Sequence, residues 1–149
     1  MAVRQVCTFR LDGALYGVDV RDVQEVLRGQ RTTPVPLAPA VVRGLMNLRG
    51  QIVAAIDLRL SLGIAPRGGD VEAMNVVVRG PDGPAALLVD EIGDVLEVSD
   101  EESEPPPDTL EPRAREFVER VCKLERGLLT MLRVERAARA APAPEGGVA

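Results

Sequence analysis

Gly44-Leu45-Met46-Asn47-Leu48-Arg49-Gly50-Gln51-Ile52-Val53-Ala54-Ala55-Ile56-Asp57-Leu58-Arg59 is the stretch on which the reading of this chain turns. Two apolar runs meet at an Arg-Gly corner, which predicts a buried hairpin with a cation set at its tip. The second arm, Ile52 to Leu58, is apolar on both faces apart from Asp57, as a central strand would be. Gly44 and Gly50 are expected to serve backbone geometry. Asp57 needs a partner, with Arg59 or a backbone amide within reach, and reads as structural. Nothing around the corner suggests catalysis. A fixed arginine in a quiet β-rich region points instead to a surface that docks something, and its rigid fork suits a carboxylate or the carbonyls of a helix end.

On the N-terminal side, Val3, Gln5, Cys7, Phe9 and Leu11 alternate with Arg4, Val6, Thr8 and Arg10, the period of a strand. Asp12-Gly13 supplies a tight turn, and Leu15 to Val18 returns. Asp19 is a candidate N-cap for a short helix over residues 20–27, with Val20, Val23 and Leu27 on its buried face. The proline-punctuated residues 31–39 suit an edge strand and loop. On the C-terminal side, residues 58–64 read as one turn of helix ending at Gly63, and Pro66 to Asp70 as a polar, Gly-rich linker. The acidic, proline-rich stretch 99–112 is expected to be an exposed loop. Residues 116–124 and 127–134 form a last strand pair, Val134 to Ala140 a short helix, and residues 141–149 a disordered tail.

The second half echoes the first. Asp12-Gly13 followed by Val18-Asp19 matches Asp82-Gly83 followed by Val89-Asp90, and Arg49-Gly50 matches Arg126-Gly127. Two echoes in the same order predict a duplicated β unit, with barrel 1 over about residues 1–66 and barrel 2 over about residues 67–140. Cores of that size lean on a neighbour, so a groove between the barrels is the expected place for a partner.

Composition narrows the chemistry. The chain has 149 residues, 46% apolar but only 2% aromatic, so Val, Leu, Ile and Ala must fill the core. No histidine is present, which removes an imidazole base, a Ser-His or Cys-His pair and a phosphohistidine acceptor. Cys7 and Cys122, distant in sequence, are expected to be reduced core thiols of a cytoplasmic protein, and make a poor zinc site with carboxylates alone. No cofactor is expected. Residues 1–66 carry a net charge of +3 and residues 67–149 a net charge of −8. An acidic second half with few aromatics argues against nucleic-acid binding. No apolar run approaches the length of a membrane span, so direct membrane insertion is not expected. A hydrolase using Asp57 or Asp90 would lack a convergent acid pair, and the chain is not expected to be an enzyme.

In order along the chain, Phe9-x-Leu-Asp-Gly, Tyr16-Gly-Val, Val23-Gln-Glu-Val, Pro36-x-x-Pro39, Gly44-Leu-Met-Asn-Leu-Arg-Gly-Gln-Ile-Val, Ile56-Asp-Leu-Arg and Leu88-Val-Asp-Glu-Ile-Gly-Asp-Val resemble the CheW-like domain of bacterial chemotaxis coupling proteins. The resemblance covers roughly residues 3–138. It implies a mostly β fold of two SH3-like five-stranded barrels packed side by side, with short helices, in one CheW-like domain over residues 1–140. It also implies a non-enzymatic adaptor. Such adaptors couple the cytoplasmic tip of methyl-accepting chemotaxis receptors to the regulatory domain of a CheA-type histidine kinase, and associate with membrane arrays through those partners. The receptor tip is a helical hairpin that docks between the barrels.

Carried onto this sequence, the candidate receptor-binding residues are Arg49, Glu25, Val23 and Asn47. Val23 reads equally as core, and the Asn47 amide also suits the hairpin backbone. Ala54 or Ala55 stands where the family commonly has proline, Arg133 where it has aspartate, and Arg120 where it has glycine. These departures leave open a second reading, the same adaptor in a non-flagellar pathway of surface motility, type IV pili or development. The eight carboxylates from Asp90 to Glu104 are either a solvated face or a steering surface for a basic partner.

Overall fold

The computed structural model describes residues 2–68 and 72–139. Among them the strands are β1 (Val3–Leu11), β2 (Ala14–Asp19), β3 (Val23–Leu27), β4 (Val42–Leu48), β5 (Gln51–Asp57), β6 (Met74–Gly80), β7 (Gly83–Val89), β8 (Glu91–Ser99), β9 (Ser103–Glu104), β10 (Val118–Leu124) and β11 (Gly127–Leu132). The helices are short: α1 (Leu58–Ser61), α2 (Pro112–Phe117) and α3 (Val134–Ala137).

The strands form two curled sheets, ordered β8-β1-β2-β11-β10-β9 and β3-β6-β7-β5-β4. The expected split at residue 66 is therefore corrected. Strands β6 and β7, from the second half, complete the sheet of β3, β4 and β5, while β1 and β2 complete the sheet of the C-terminal strands. The pairings nonetheless repeat. Strand β3 lies antiparallel to β6 as β8 does to β1, and β5 lies parallel to β7 as β11 does to β2. Parallel neighbours cannot be joined by a tight turn. Each repeat therefore gives its first hairpin to one sheet and its remaining strands to the other.

This exchange explains the continuous apolar runs. Val76, Val78, Leu87 and Val89 join Phe9, Leu11, Val18, Ile56 and Leu132 in a core shared by the two sheets. The alternate residues Val77, Ala86 and Leu88 face inward with Met46, Val53 and Ala55 to fill one barrel. Val6, Val98, Cys122, Leu129 and Met131 fill the other. Strands β6 and β7 are thus buried on both faces, which a period of two with no polar face requires.

The echoed turns differ by one residue. Asp12 and Arg49 have φ of 52° and 53°, followed by Gly13 and Gly50 at 83° and 84°. Two positive-φ residues between paired strand ends make type I′ hairpins. In the second repeat the turn residues are Pro81-Asp82 and Glu125-Arg126, because Gly80 pairs with Gly83 and Leu124 with Gly127. Their glycines fall in the fourth position, as in ordinary type I turns.

Three local expectations also change. The helix expected over residues 20–27 is a 3-10 turn over Val20–Asp22 followed by strand β3. Asp19 does cap it, accepting from the Arg21 N–H at 2.9 Å, but the β-branched Val23 and Val26 are drawn into a ladder with β6. The stretch 99–112 holds a 3-10 turn over Asp100–Glu102 and the two residues of β9 before α2 starts at Pro112. Within residues 31–39, Thr33 alone bridges Leu45, exchanging hydrogen bonds of 2.8 and 2.9 Å. The expected linker is described as far as residue 68, and the expected tail lies outside the described residues.

A candidate docking site at the Arg49 hairpin

Arg49 sits where the chain leaves β4 for β5, held in left-handed backbone that only the type I′ turn demands. Asn47 fixes that turn from within, its Oδ1 accepting the Gly50 N–H at 2.9 Å. The Arg49 guanidinium reaches across to strand β3, where it meets Glu25 at 2.6 Å. Strands β3 and β4 are the two outer edges of their sheet. The Glu25–Arg49 pair therefore spans the seam that the Thr33–Leu45 bridge closes lower down.

Gly44 makes that seam possible. A Cβ at this position would lie 2.5 Å from the Thr33 carbonyl oxygen, so no other residue allows the approach. Val23 is half-buried and packs against the shared core. Asp57 is 1% exposed and caps α1, accepting from the Arg59 N–H at 3.0 Å, so the backbone amide is its partner. Its Oδ2 makes no hydrogen bond and lies 3.7 Å from the Arg43 guanidinium.

Glu25, Asn47 and Arg49 are thus brought together, with Val23 two residues along β3. Of these, Glu25 and Arg49 line a recess of about 290 Å³, the open mouth of the barrel. Gln51 and Arg79 line it above a floor of Val53 and Val77, each 1% exposed. Arg79 and Gln51 are residues that the sequence reading missed. The signal for both was strand parity: Arg79 follows Val77 by two, and Gln51 precedes Val53 by two, so each shares an inward face at the strand end.

The expected groove between the two sheets is a different place. An apolar cleft of about 540 Å³ lies between α1 and the face of β10 and β11, lined by Leu62, Leu110, Phe117, Val121, Leu128 and Leu132 among others. None of the four candidate residues lines it.

Of two further charge clusters, that of Asp90 ties the two sheets together and that of Asp19 ties strands β1, β2 and β10 within one sheet. Asp90 accepts from Arg59 at 2.6 and 2.9 Å, from Arg67 at 3.1 Å and from the Asp12 N–H at 2.8 Å. The Arg59 bonds come first in holding the Asp90 carboxyl well below the usual range. Asp19 is lowered to about 2, chiefly by its bond to Arg21, and Arg4 joins it to Glu119. Burial pushes the Cys7 and Cys122 thiols up. Among the described residues no cluster of three metal-ligating side chains occurs, and no helix is long and apolar enough to cross a membrane.

The family model of the CheW-like domain matches residues 5–141. The chain belongs to the CheW-like domain family. It is 29% identical over 136 residues to the chemotaxis protein CheW of Treponema pallidum, spanning 89% of this chain and 80% of that one. The CheW of Rhizobium meliloti is 30% identical over 132 residues, spanning 89% and 85%. Among solved structures, the scaffolding protein TtCheW of Thermoanaerobacter tengcongensis superposes with a TM-score of 0.83 at 29% identity, covering 91% of this chain and 92% of that one. The two curled sheets are thus the paired SH3-like barrels of CheW-like proteins.

Proposed function

We infer that this chain is a non-enzymatic chemotaxis scaffold that couples the cytoplasmic tip of a methyl-accepting receptor to a CheA-type histidine kinase, working in the cytoplasm beneath a receptor array. Family membership over nearly the whole chain supports the scaffold role. The single observation that carries the docking assignment is the Arg49 side chain, 79% exposed on a rigid turn yet anchored to Glu25. A long cation held this way loses little entropy when it meets a partner. Contacts of this kind are weak one at a time, with dissociation constants on the order of micromolar, about 8 kcal/mol. Repetition across an array supplies the remaining avidity.

The test is co-sedimentation of the chain with membranes carrying its cognate receptor, with and without kinase. Arg49→Ala is expected to weaken receptor binding while the thermal midpoint stays nearly unchanged. Loss of fold in step with loss of binding would overturn the docking role. Recovering the receptor and kinase also decides between flagellar chemotaxis and another chemosensory pathway.

A further inference from the structure

Arg79 is held in place but uncompensated, and it faces the same barrel mouth as Arg49. Its Nη1 donates to the carbonyls of Arg21 at 2.8 Å and Val23 at 3.3 Å, so the guanidinium is anchored at one corner of the fork. Neither its Nε nor its Nη2 makes a hydrogen bond to another described side chain, and no described carboxylate forms an ion pair with it. Glu25 is already committed to Arg49 at 2.6 Å, with only 21% of its side chain exposed. The mouth therefore holds two guanidiniums against one carboxylate. Gln24 and Gln51 line it too, and their amides bring further N–H donors.

The geometry points to a seat for an acidic side chain: the docking partner inserts a Glu or Asp carboxylate between Arg49 and Arg79, in the mouth of the β3-β6-β7-β5-β4 barrel. This rests on the docking role proposed for the Arg49 hairpin and names the partner's chemistry there. A space of about 290 Å³ takes one or two side chains rather than a helix, so the partner backbone lies across the rim. The apolar floor of Val53 and Val77 excludes water below the seat, which strengthens a charged hydrogen bond made above it. The free edge of the Arg79 fork offers paired donors to a carboxylate. Arg79 is thus a specificity residue that selects an acidic contact.

The experiment measures binding of the full chain to the cytoplasmic tip of its cognate receptor, alongside the thermal midpoint. Arg79→Gln is expected to weaken binding about tenfold, with Arg79→Lys recovering part of the loss. Each Glu and Asp of the receptor tip is then changed to its amide. One of these changes should weaken binding to the wild-type chain but have no further effect on the Arg79→Gln chain. Gln51→Glu leaves Arg79 untouched and places a resident carboxylate in the seat, so it should also weaken binding. If Arg79→Gln perturbs the fold, Gln51→Glu takes its place both in the binding measurement and in the receptor scan. Wild-type binding by Arg79→Gln or Gln51→Glu, with Arg49→Ala still impaired, would overturn the acidic seat and leave the docking role standing. Failure of the wild-type chain to bind the receptor tip would remove both.

Discussion

The Arg59 guanidinium grips the Asp90 carboxylate through two hydrogen bonds of 2.6 and 2.9 Å, with side chains only 14% and 16% exposed. Arg59 belongs to α1, at the end of the first repeat, and Asp90 follows β7 in the second. Asp90 also accepts the Asp12 N–H of the β1–β2 turn in the other sheet. One carboxylate therefore ties both repeats and both sheets at a single point.

Asp90→Asn should cost about 2–3 kcal/mol, because it leaves Arg59 and Arg67 facing each other without the anion between them. For a domain of this size that is a fall in thermal midpoint of roughly 4–12 °C. Urea titration of the two proteins checks it. A loss no larger than that of a surface substitution would show that the tie is solvated.

The acid limb of the stability profile follows from the same carboxylates. Asp90 and Asp19 both titrate lower in the folded chain than in the unfolded one, Asp19 at about 2 against an ordinary value of 3.8. A depressed folded value means that the stabilisation is fully present above the unfolded value and is lost as pH falls through the folded one. Their contribution should be flat from pH 7 to about 4 and disappear between about 4 and 2 and below. Unfolding free energies across that range check this, and Asp19→Asn should flatten part of the slope.

Gly44→Ala is expected to destabilise by about 2–3 kcal/mol, since the new methyl would press on the Thr33 carbonyl and force the seam apart. Hydrogen exchange provides the local readout. The Leu45 and Thr33 amides, which exchange bonds across the seam, should lose protection before the β6–β7 hairpin does.

Arg49→Gly separates the turn from the docking role. Left-handed backbone costs a non-glycine residue roughly 1–2 kcal/mol, so glycine at φ 53° should leave stability unchanged or raise it slightly. Receptor binding should nevertheless fall as it does for Arg49→Ala. Retained binding in the glycine variant would assign Arg49 to the turn alone.

Cys7 and Cys122 are 4% and 0% exposed and sit in different core clusters, one shared between the sheets and one inside a barrel. Their thiols are pushed up by burial. Both should resist a thiol reagent in the native chain and react fully once it is denatured.

Much of the local structure was legible along the chain. The β1–β2 and β4–β5 hairpins, the turn of helix ending at Gly63, the capping role of Asp19 and the backbone role of Asn47 follow from period, turn chemistry and hydrogen-bonding capacity among near neighbours. The segment over residues 20–27 misled because Val20, Val23 and Leu27 satisfy a helical spacing as well as a half-buried strand does. The ladder offered by β6, more than 45 residues away in sequence, decided between them.

Read along the chain alone, this is a duplicated β protein, with a cation fixed at one hairpin tip and cysteines and valines inside. Those are consequences of side-chain period and of turns closed within a few residues. The exchange of hairpins between repeats, the reach of Glu25 to Arg49 across two sheet edges and the presence of Arg79 beside them at the barrel mouth came from long-range assembly. Each depends on which distant strands pair, and parallel pairing of β5 with β7 and of β2 with β11 is a long-range choice that no local pattern encodes.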